Sequence, residues 1–445
     1  MFNKAAEKTA STLILFGAPF ATIFLMTGTV TDPVNATKLA AVGALSFGLL
    51  SLSISFNSKA LILNNKLFIA LALGFLLSAI NAVVASDSPL SQNVYGSYGR
   101  NTGLIAYLVL LLISISALSL RDKSSFMKIV YGLQIAGIIN VIYCAWVLAF
   151  GDFLSWNNPY QAILGLFGNP NFISAFLGMF IATVLALIVA PGTNWKIRVF
   201  GLLFSLLAFY EIVDSRSIQG IVVTAGAIAI VGFFLVRHFL RSPIWSFIYV
   251  AAAALVGSVA VMGALQRGPW TFIYKPSVSL RGAYWDAGIA MGAKKPFTGV
   301  GMDAYGDWYR RARSEEAATV MPGPKTITNA AHNVVLDIFA YGGFPLLVAY
   351  LGMLVLAAFA AIKVIRRSKT YDFVFVAMFT AWSCYQVQSL ISINQVGLAL
   401  WGWLITGALI AYERTTRKDQ HESEKVDRKV LTRNSRSTES VVSPQ

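Results

Sequence analysis

Charge and cysteine are scarce in this chain. Of its 445 residues, 12% are charged and 56% are hydrophobic, whereas roughly 25% of the residues of an average soluble domain are charged. The two cysteines, Cys144 and Cys384, both fall inside apolar runs, so neither a disulfide framework nor a thiolate metal site is expected. The composition excludes an ordinary soluble domain and predicts an integral membrane protein.

Several motifs that mark the active sites of soluble enzymes are also missing. The sequence has no Walker loop, no HExxH pair, no CxxC motif and no GxSxG motif. The acidic residues of the predicted short outer loops, Asp32, Asp87, Asp152 and Asp214, are isolated from one another. We therefore expect no bound metal ion and no other cofactor.

Long apolar runs are present instead. A helix needs about 20 mainly apolar residues to cross a bilayer. The runs predict an all-α integral membrane protein with about twelve transmembrane helices, at approximately 11–29, 37–56, 66–85, 103–120, 127–149, 171–190, 197–213, 217–236, 245–264, 334–362, 372–392 and 394–412.

This pattern divides the chain into four parts. Residues 1–264 are predicted to hold transmembrane helices 1 to 9, of which the first is expected to remain as a signal anchor. Residues 265–332 are predicted to form one large extracytoplasmic loop containing short helices, and residues 333–412 to hold helices 10 to 12. Residues 413–445 are polar and highly charged, which is typical of a disordered tail.

Positive charge is divided unevenly between the loops. The predicted inner loops carry thirteen Lys and Arg residues, whereas the short outer loops carry only Lys38, Arg100 and Arg216. The positive-inside rule therefore predicts a multi-pass protein of the cytoplasmic membrane with both termini in the cytoplasm. Because the net charge of +15 lies largely in short loops and in the tail, no nucleic-acid partner is expected.

One helix is predicted within the large loop. The stretch "SLRGAYWDAGIAMGAK" is expected to be helical from about Ser279 to Lys294, and a proline and two glycines follow it closely. Tyr284, Ile289 and Met291 give this helix a partly apolar face. It is therefore expected to lie against the bundle or in the membrane interface.

Four basic side chains stand out on the predicted outer face. They are Arg100 in "YGSYGRNTGL", Arg216 in "VDSRSIQG", Arg281 at the start of the loop helix, and His332 in "TNAAHNVVLD". Arginine pairs bidentately with phosphate oxygens, and helix N-termini favour anions. A helix N-terminus and nearby arginines also disfavour imidazolium, which leaves a neutral histidine able to act as a general base.

The same residues admit structural interpretations. Arg216 could pair with Asp214, Arg281 could pair with Asp286, and a lone histidine at a helix start is often a hydrogen-bonding group. The functional hypothesis therefore requires that the cations meet in space.

The order of these motifs resembles that of the O-antigen ligase and O-antigen polymerase superfamily. The segments that carry the resemblance are "GRNTG", "GNPN", "DSRS", "SLRGAYWDAG", "AHNVVLD" and "SINQVGLALWGW". The resemblance implies a metal-independent glycosyltransferase of the bilayer. Its donor would be an undecaprenyl-diphosphate-linked glycan, and its acceptor a glycan, a glycolipid or a protein.

The resemblance also implies roles for individual residues. Arg216 and Arg281 would hold the diphosphate, Arg100 would be a third contact, and His332 would be the base. The physical chemistry agrees, because a departing diphosphate needs cations and the acceptor hydroxyl needs a base. Attack opposite the leaving group would invert the anomeric centre.

Other residues are secondary candidates. Tyr284, Trp285 and Asp337 are expected to line or orient the site. Asn169 and Asn171 are expected to be structural and to cap the sixth predicted span.

Two rival functions remain open at this stage. One is a transferase that uses a lipid monophosphate donor with Asp32, in "VTDPVN", as its base. The other is a solute transporter, whose path would use polar residues inside the predicted spans, namely Asn81, Asn140, Gln386, Gln388 and Asn394. No internal repeat of the kind found in transporters is evident.

Overall fold

The computed structural model describes residues 4–27, 32–155, 158–368 and 370–439, with side chains described outside 56–60, 276 and 418–439. Within these residues the fold is all-α. The helices are α1 (Lys4–Ile23), α2 (Asn35–Leu63), α3 (Lys66–Val84), α4 (Leu90–Tyr95), α5 (Leu104–Ala117), α6 (Lys123–Phe150), α7 (Pro170–Ile188), α8 (Trp195–Asp214), α9 (Ile218–Leu240), α10 (Pro243–Ala264), α11 (Pro276–Lys294), α12 (Tyr305–Ala312), α13 (Glu315–Thr319), α14 (Val334–Arg367), α15 (Phe373–Ser389) and α16 (Val396–Glu439).

Eight helices in the described part of the chain are long and apolar enough to cross a membrane. They are α2, α3, α6, α7, α9, α10, α14 and the first part of α16. Helices α1, α5, α8 and α15 occupy the other four predicted spans, but they are shorter or carry more charged and polar residues. The multi-pass membrane protein is confirmed, whereas the count of twelve spans stays a prediction. So does the disordered tail, because no side chain beyond Arg417 is described.

The loops predicted to share the inner side of the membrane meet at one end of the bundle. Glu7 is buried in α1 and accepts hydrogen bonds from the backbone amides of Arg121 and Asp122, at 2.7 and 2.8 Å. Arg414 donates to Oδ1 of Asn65 at 2.7 Å. These bonds tie four predicted inner segments together.

The predicted outer loops meet at the other end. Asn35 donates to the carbonyl of Gly99 at 2.8 Å and accepts from Nε2 of Gln395 at 3.1 Å. The hydroxyl of Ser217 donates to Oδ1 of Asn171 at 2.7 Å. Segments far apart in the sequence are thereby held around one end of the bundle, and its exposure to the outside stays a prediction.

Helix α14 is broken near its start. Gly343 has a φ of +66°, and Pro345 follows it. Proline has no amide hydrogen and cannot continue the helical hydrogen bonds. The span predicted at 334–362 is therefore two helical pieces, 334–342 and 344–367. The second piece is about 36 Å long at 1.5 Å per residue, which is enough to cross a bilayer alone.

The carbonyls freed by this break are bonded by a distant segment. The amides of Val300 and Gly301 donate to the carbonyls of Ala340 and Tyr341, at 2.8 and 3.1 Å. In an unbroken helix, the amide at position 345 would have bonded to Tyr341. The segment 296–301, which we name the staple, thus fixes the end of the large loop against the short first piece of α14.

Helix α11 confirms the helix predicted within the loop, with one correction to its apolar face. It begins at Pro276, because proline is favoured in the first turn of a helix, and ends at Lys294 as predicted. Tyr284 and Met291 are buried as expected, but Ile289 is 48% exposed. At 100° per residue, position 289 is turned well away from the face that 284 and 291 share.

The segment that follows α12 closes on itself. The guanidinium of Arg313 donates to the carbonyls of Gly323 and Thr326, at 3.2 and 3.3 Å. Ser314 caps α13 by accepting from the amide of Ala317 at 3.2 Å. Residues 313–326 therefore form a compact loop whose ends are held by one side chain.

The staple generates a stability prediction at Gly299. This residue has a φ of +61°, and a Cβ there would lie 2.3 Å from the carbonyl carbon of Tyr341. Gly299→Ala should therefore lower the free energy of unfolding by about 1–3 kcal/mol, measured as a lower thermal midpoint in detergent. The control is Gly282→Ala, because a Cβ at this α11 position meets nothing within 4 Å. Equal midpoints for the two variants would contradict the close approach.

The predicted orientation generates a labelling experiment. Ser314 and Ser124 are both exposed, at opposite ends of the bundle, and the two natural cysteines are buried. Ser314→Cys should react with a membrane-impermeant maleimide in intact cells whose outer barrier has been permeabilised. Ser124→Cys should react only after lysis of the cytoplasmic membrane. The reverse pattern would place both termini outside.

Candidate functional site

A cavity of ≈ 810 Å³ opens at the predicted outer end of the bundle. The loops before α2, α5, α7, α14 and α16 all contribute to its wall, so it lies where predicted outer loops converge. Its lining residues are Thr27, Asp32, Pro33, Val34, Asn35, Gly99, Arg100, Ser155, Tyr160, Leu164, Phe167, Gly168, Asn169, Asn171, Phe172, His332, Ser392, Ile393, Asn394 and Gln395.

His332 lies in this wall and is held as a neutral imidazole. Burial lowers its pKa from the ordinary 6.5 to about 4, and the positive charges of Arg100 and Arg281 act in the same direction. Its ring stacks on Tyr284, with the two centroids 5.8 Å apart and the planes 29° from parallel. At pH 7 the imidazole is therefore unprotonated and able to accept a proton.

The backbone of His332 adopts a left-handed conformation, with a φ of +56°. This conformation is uncommon for a residue other than glycine and costs about 1 kcal/mol or more. The carboxylate of Asp337 helps to hold it, because Oδ1 accepts from the amide of Ala331 at 2.6 Å. Asn333 caps α14 by accepting from the amide of Val335 at 3.1 Å. Asp337 thus bonds to the residue before the histidine and is not among the residues that line the cavity.

Arg100 faces the cavity with an unused hydrogen-bond donor. Its Nη1 atom is buried and has no hydrogen-bond partner among the described residues. The Arg100 loop is held by Asp303, whose Oδ2 accepts from the amide of Ser97 at 2.6 Å. Burial raises the pKa of Asp303 to about 6, against the opposing effects of that amide and of Arg100. A buried guanidinium with a free donor is suited to an anionic ligand.

Arg281 approaches the histidine from α11, one turn before Tyr284. Burial lowers the pKa of its guanidinium, although the group remains charged at neutral pH. The neighbouring Trp285 has a buried Nε1 without a hydrogen-bond partner in the described part of the chain. The hydroxyl of Tyr305 donates to the carbonyl of Tyr284, which fixes this stretch of α11.

Arg216 lies at the edge of the arrangement. Its side chain is exposed, and its backbone is left-handed with a φ of +57°. Its carbonyl accepts from Nζ of Lys275, the residue before α11, at 2.9 Å. The next residue, Ser217, bonds to Asn171 in the cavity wall. The structure therefore connects Arg216 to both α11 and the cavity, while Arg100 and Arg281 are the arginines that act on His332.

The ion pairs considered from the sequence are not formed. Within the ranges that the structure describes, neither Arg216 with Asp214 nor Arg281 with Asp286 comes within ion-pair distance; the pairs that do are Lys123–Asp372, Lys295–Asp87 and Arg367–Glu413. The ion pairs on which a purely structural role of Arg216 and Arg281 was based are therefore absent among the described residues.

The cavity also contains polar residues that the sequence analysis assigned elsewhere or did not single out. Asn169 caps α7 as predicted, accepting from the amide of Asn171 at 2.9 Å, yet both residues also line the cavity. Asn35 and Gln395 line it too, bonded to each other. Their signal was weak, because an asparagine or glutamine near a helix start is ordinarily a cap.

Metal ligands are sparse by comparison. In the part of the chain that the structure describes, no three or more His, Cys, Asp or Glu side chains are grouped so that they could hold a metal ion. The prediction that no metal takes part stays a prediction.

Comparison with known proteins adds one family. Residues 203–351 match the family described as O-antigen ligase. This range contains Arg216, Arg281, His332 and Asp337, whereas Arg100 lies outside it. No curated protein matches the chain. The chain carries an O-antigen ligase domain over residues 203–351, which supports a relation to the O-antigen ligase and polymerase superfamily.

Proposed function

We propose that this protein is a metal-independent, inverting glycosyltransferase. It transfers a glycan from undecaprenyl diphosphate to an acceptor hydroxyl at the outer face of the cytoplasmic membrane. The O-antigen ligase domain supports a membrane glycosyltransferase in general. The donor, the stereochemistry and the absence of a metal are the parts that we add.

One observation carries the proposal. A neutral histidine lies in the wall of an open cavity, and two arginines act on it electrostatically without hydrogen bonding to it. Arg100 keeps a buried donor free. A base with positive charge nearby suits a reaction in which a hydroxyl loses a proton while a diphosphate departs.

The transfer is then a single displacement. His332 accepts the proton of the acceptor hydroxyl, and the acceptor oxygen forms a bond to the anomeric carbon. The bond from that carbon to the diphosphate oxygen breaks, and undecaprenyl diphosphate leaves with the electron pair. Arg100 and Arg281 stabilise the charge that develops on the leaving group, with Arg216 as a third contact at the edge. Attack from the face opposite the leaving group inverts the anomeric configuration.

The architecture is part of the proposal. Twelve transmembrane helices, with α1, α5, α8 and α15 added to the eight that are long and apolar enough to cross a membrane, place both termini in the cytoplasm. Residues 265–332 then form the large extracytoplasmic loop. This arrangement puts His332 on the side of the membrane where the lipid-linked donor is used.

Two of the polar residues named for a transporter path bond within the bundle, whereas the amide nitrogens of Gln386, Gln388 and Asn394 are buried without a hydrogen-bond partner among the described residues. Asn140 donates to Ala136 at 2.9 Å and accepts from the amide of Leu166 at 3.2 Å, so its amide is used structurally. Asn394 accepts from the hydroxyl of Tyr385 at 3.4 Å. Both act as links within the bundle.

The base assignment is tested by replacing His332. His332→Asn is preferred to His332→Ala, because asparagine tolerates the left-handed backbone better. Purified His332→Asn protein, assayed with an undecaprenyl-diphosphate glycan and an acceptor, should have a kcat at least about 100-fold lower than that of the wild type. Donor binding should persist, because the arginines remain. Transfer at the wild-type rate by both variants would reduce the histidine to a structural role.

The pKa of His332 generates a separate pH prediction. A general base must be unprotonated, so kcat/KM should fall as the pH decreases through about 4, the pKa of His332. Protonation of Asp303, whose pKa is about 6, would add a separate decrease in kcat/KM at higher pH. Asp303→Asn should remove that decrease. A limb near pH 4 that survives in His332→Asn would assign the acid limb to another group.

The arginines are tested through the same pH profile. Arg281→Ala should cost about 2–5 kcal/mol in transition-state stabilisation, by analogy with buried charge pairs, and lysine should restore it only partly. Removing this positive charge should also raise the pKa of His332, so the acid limb should move to higher pH. Arg310→Ala, an exposed arginine of α12, is the control. Identical profiles for the two variants would remove Arg281 from the site.

A further inference from the structure

The carboxylate of Asp32 is buried in the cavity wall, and only one of its two oxygens has a hydrogen-bond partner among the described residues. The side chain is 8% exposed. Its Oδ1 accepts from the amides of Val34 and Asn35, at 3.0 and 2.9 Å, and so caps α2. Its Oδ2 is buried without a hydrogen-bond partner among the described residues. A buried, unpaired carboxylate oxygen carries a large desolvation cost, so a ligand that donates a hydrogen bond would stabilise it.

The rest of the cavity favours a neutral ligand with many hydroxyls. Among the lining residues that the structure describes, Asp32 and Arg100 are the only acidic or basic side chains besides His332, which is neutral at pH 7. The polar remainder is mostly amides, which both donate and accept. The aromatic lining residues, Tyr160, Phe167 and Phe172, offer apolar surface of the kind that covers the C–H faces of a sugar ring.

We propose that this cavity is a carbohydrate subsite in which Oδ2 of Asp32 accepts a hydrogen bond from a hydroxyl of the acceptor sugar. The inference rests on the proposed function and deepens it. It selects a carbohydrate acceptor over a protein side chain, because a serine or threonine brings one hydroxyl and leaves the amide-lined volume unmatched. The cavity volume of ≈ 810 Å³ lies in the range of ligand pockets.

Asp32 binds the acceptor and leaves its activation to His332. Both residues line the same cavity, so each can contact one acceptor molecule. The bound hydroxyl keeps its proton and donates it in a hydrogen bond, whereas a different hydroxyl of that sugar loses its proton to the histidine. This division of roles separates the proposal from the rival transferase in which Asp32 is the base.

Asp32→Asn isolates the free oxygen. Asparagine keeps one carbonyl oxygen to cap the amides of Val34 and Asn35, and it replaces Oδ2 with a donor of similar size. The matched control is Asp87→Asn, which makes the same change in charge at the same end of the bundle. Asp87 is exposed, pairs with Lys295 at 3.0 Å and does not line the cavity.

Binding is measured first, without any transfer. His332→Asn protein in detergent is given methyl glycosides of common hexoses and N-acetylhexosamines, and saturation-transfer-difference NMR reports contact. At least one glycoside should give a signal that Asp32→Asn reduces at least about tenfold and Asp87→Asn leaves intact; glycerol measures nonspecific contact by hydroxyls. Signals no stronger than those of glycerol, or an equal response of the two variants, would overturn the subsite whether or not the protein transfers glycan.

Transfer kinetics then distinguish the two proposals. With an undecaprenyl-diphosphate glycan as donor and a glycan acceptor, Asp32→Asn should raise the KM for the acceptor at least about tenfold. The KM for the donor and the acid limb of the pH profile should not change. A loss of kcat together with the acid limb would make Asp32 the base and overturn both assignments. Wild-type protein that binds sugar but transfers nothing would contradict the proposed function and leave the subsite standing.

Discussion

The hydrogen bonds between the staple and the broken start of α14 are the constraint on which the site depends. Ala340 and Tyr341 are buried, so the carbonyls freed by the break in the helix need a partner from the protein. Here the partner is the end of the large loop, bonded at Val300 and Gly301. Phe344 completes the junction by donating back to the carbonyl of Pro296 at 2.8 Å. The loop is thereby fixed next to the histidine before any ligand arrives.

A second junction transmits this rigidity to Arg100. Asp303 lies two residues after the staple, and its carboxylate accepts from the amide of Ser97 and, at 3.3 Å, from the hydroxyl of Tyr341. One side chain thus connects the Arg100 loop, the large loop and the first piece of α14. Among the described residues other than glycine, Asn101, Arg216, Asp303 and His332 all have positive φ angles. Such strain persists only where surrounding contacts hold it, which is a feature of preorganised sites.

The sequence was a good guide to the helices, whereas the roles of the basic residues stay predictions. Hydrophobic length alone located the apolar helices, because a bilayer imposes a minimum span. Hydrophobic length did not predict the break at Gly343, because a continuous apolar run gives no sign of an interruption. Pro345 lies within that run and was not treated as a helix breaker. The apolar face predicted for α11 was wrong only at Ile289, because this residue was included for its apolar side chain without regard to its angular position on the helix.

Spatial relations were beyond the sequence. That Arg100 and Arg281 act on His332 depends on the packing of segments that lie 232 and 51 residues away from it in the sequence. The same holds for Asp32 and for the amides of the cavity wall, whose local patterns are those of ordinary turns and caps. Burial without a hydrogen-bond partner, which Nη1 of Arg100 and Oδ2 of Asp32 share with other buried polar atoms, is a property of packing that a linear pattern does not contain.

The closed loop held by Arg313 has a consequence for engineering. One side chain joins the two ends of this loop, so residues inserted between 315 and 322 would lengthen a loop that is already closed. The entropic cost of closing a loop grows only slowly with its length. The staple and Asp303 lie outside the insertion. An epitope or a fluorescent reporter placed there would mark the protein on the face where the site opens, and exchange of the whole segment between relatives would form a chimera with the site frame retained.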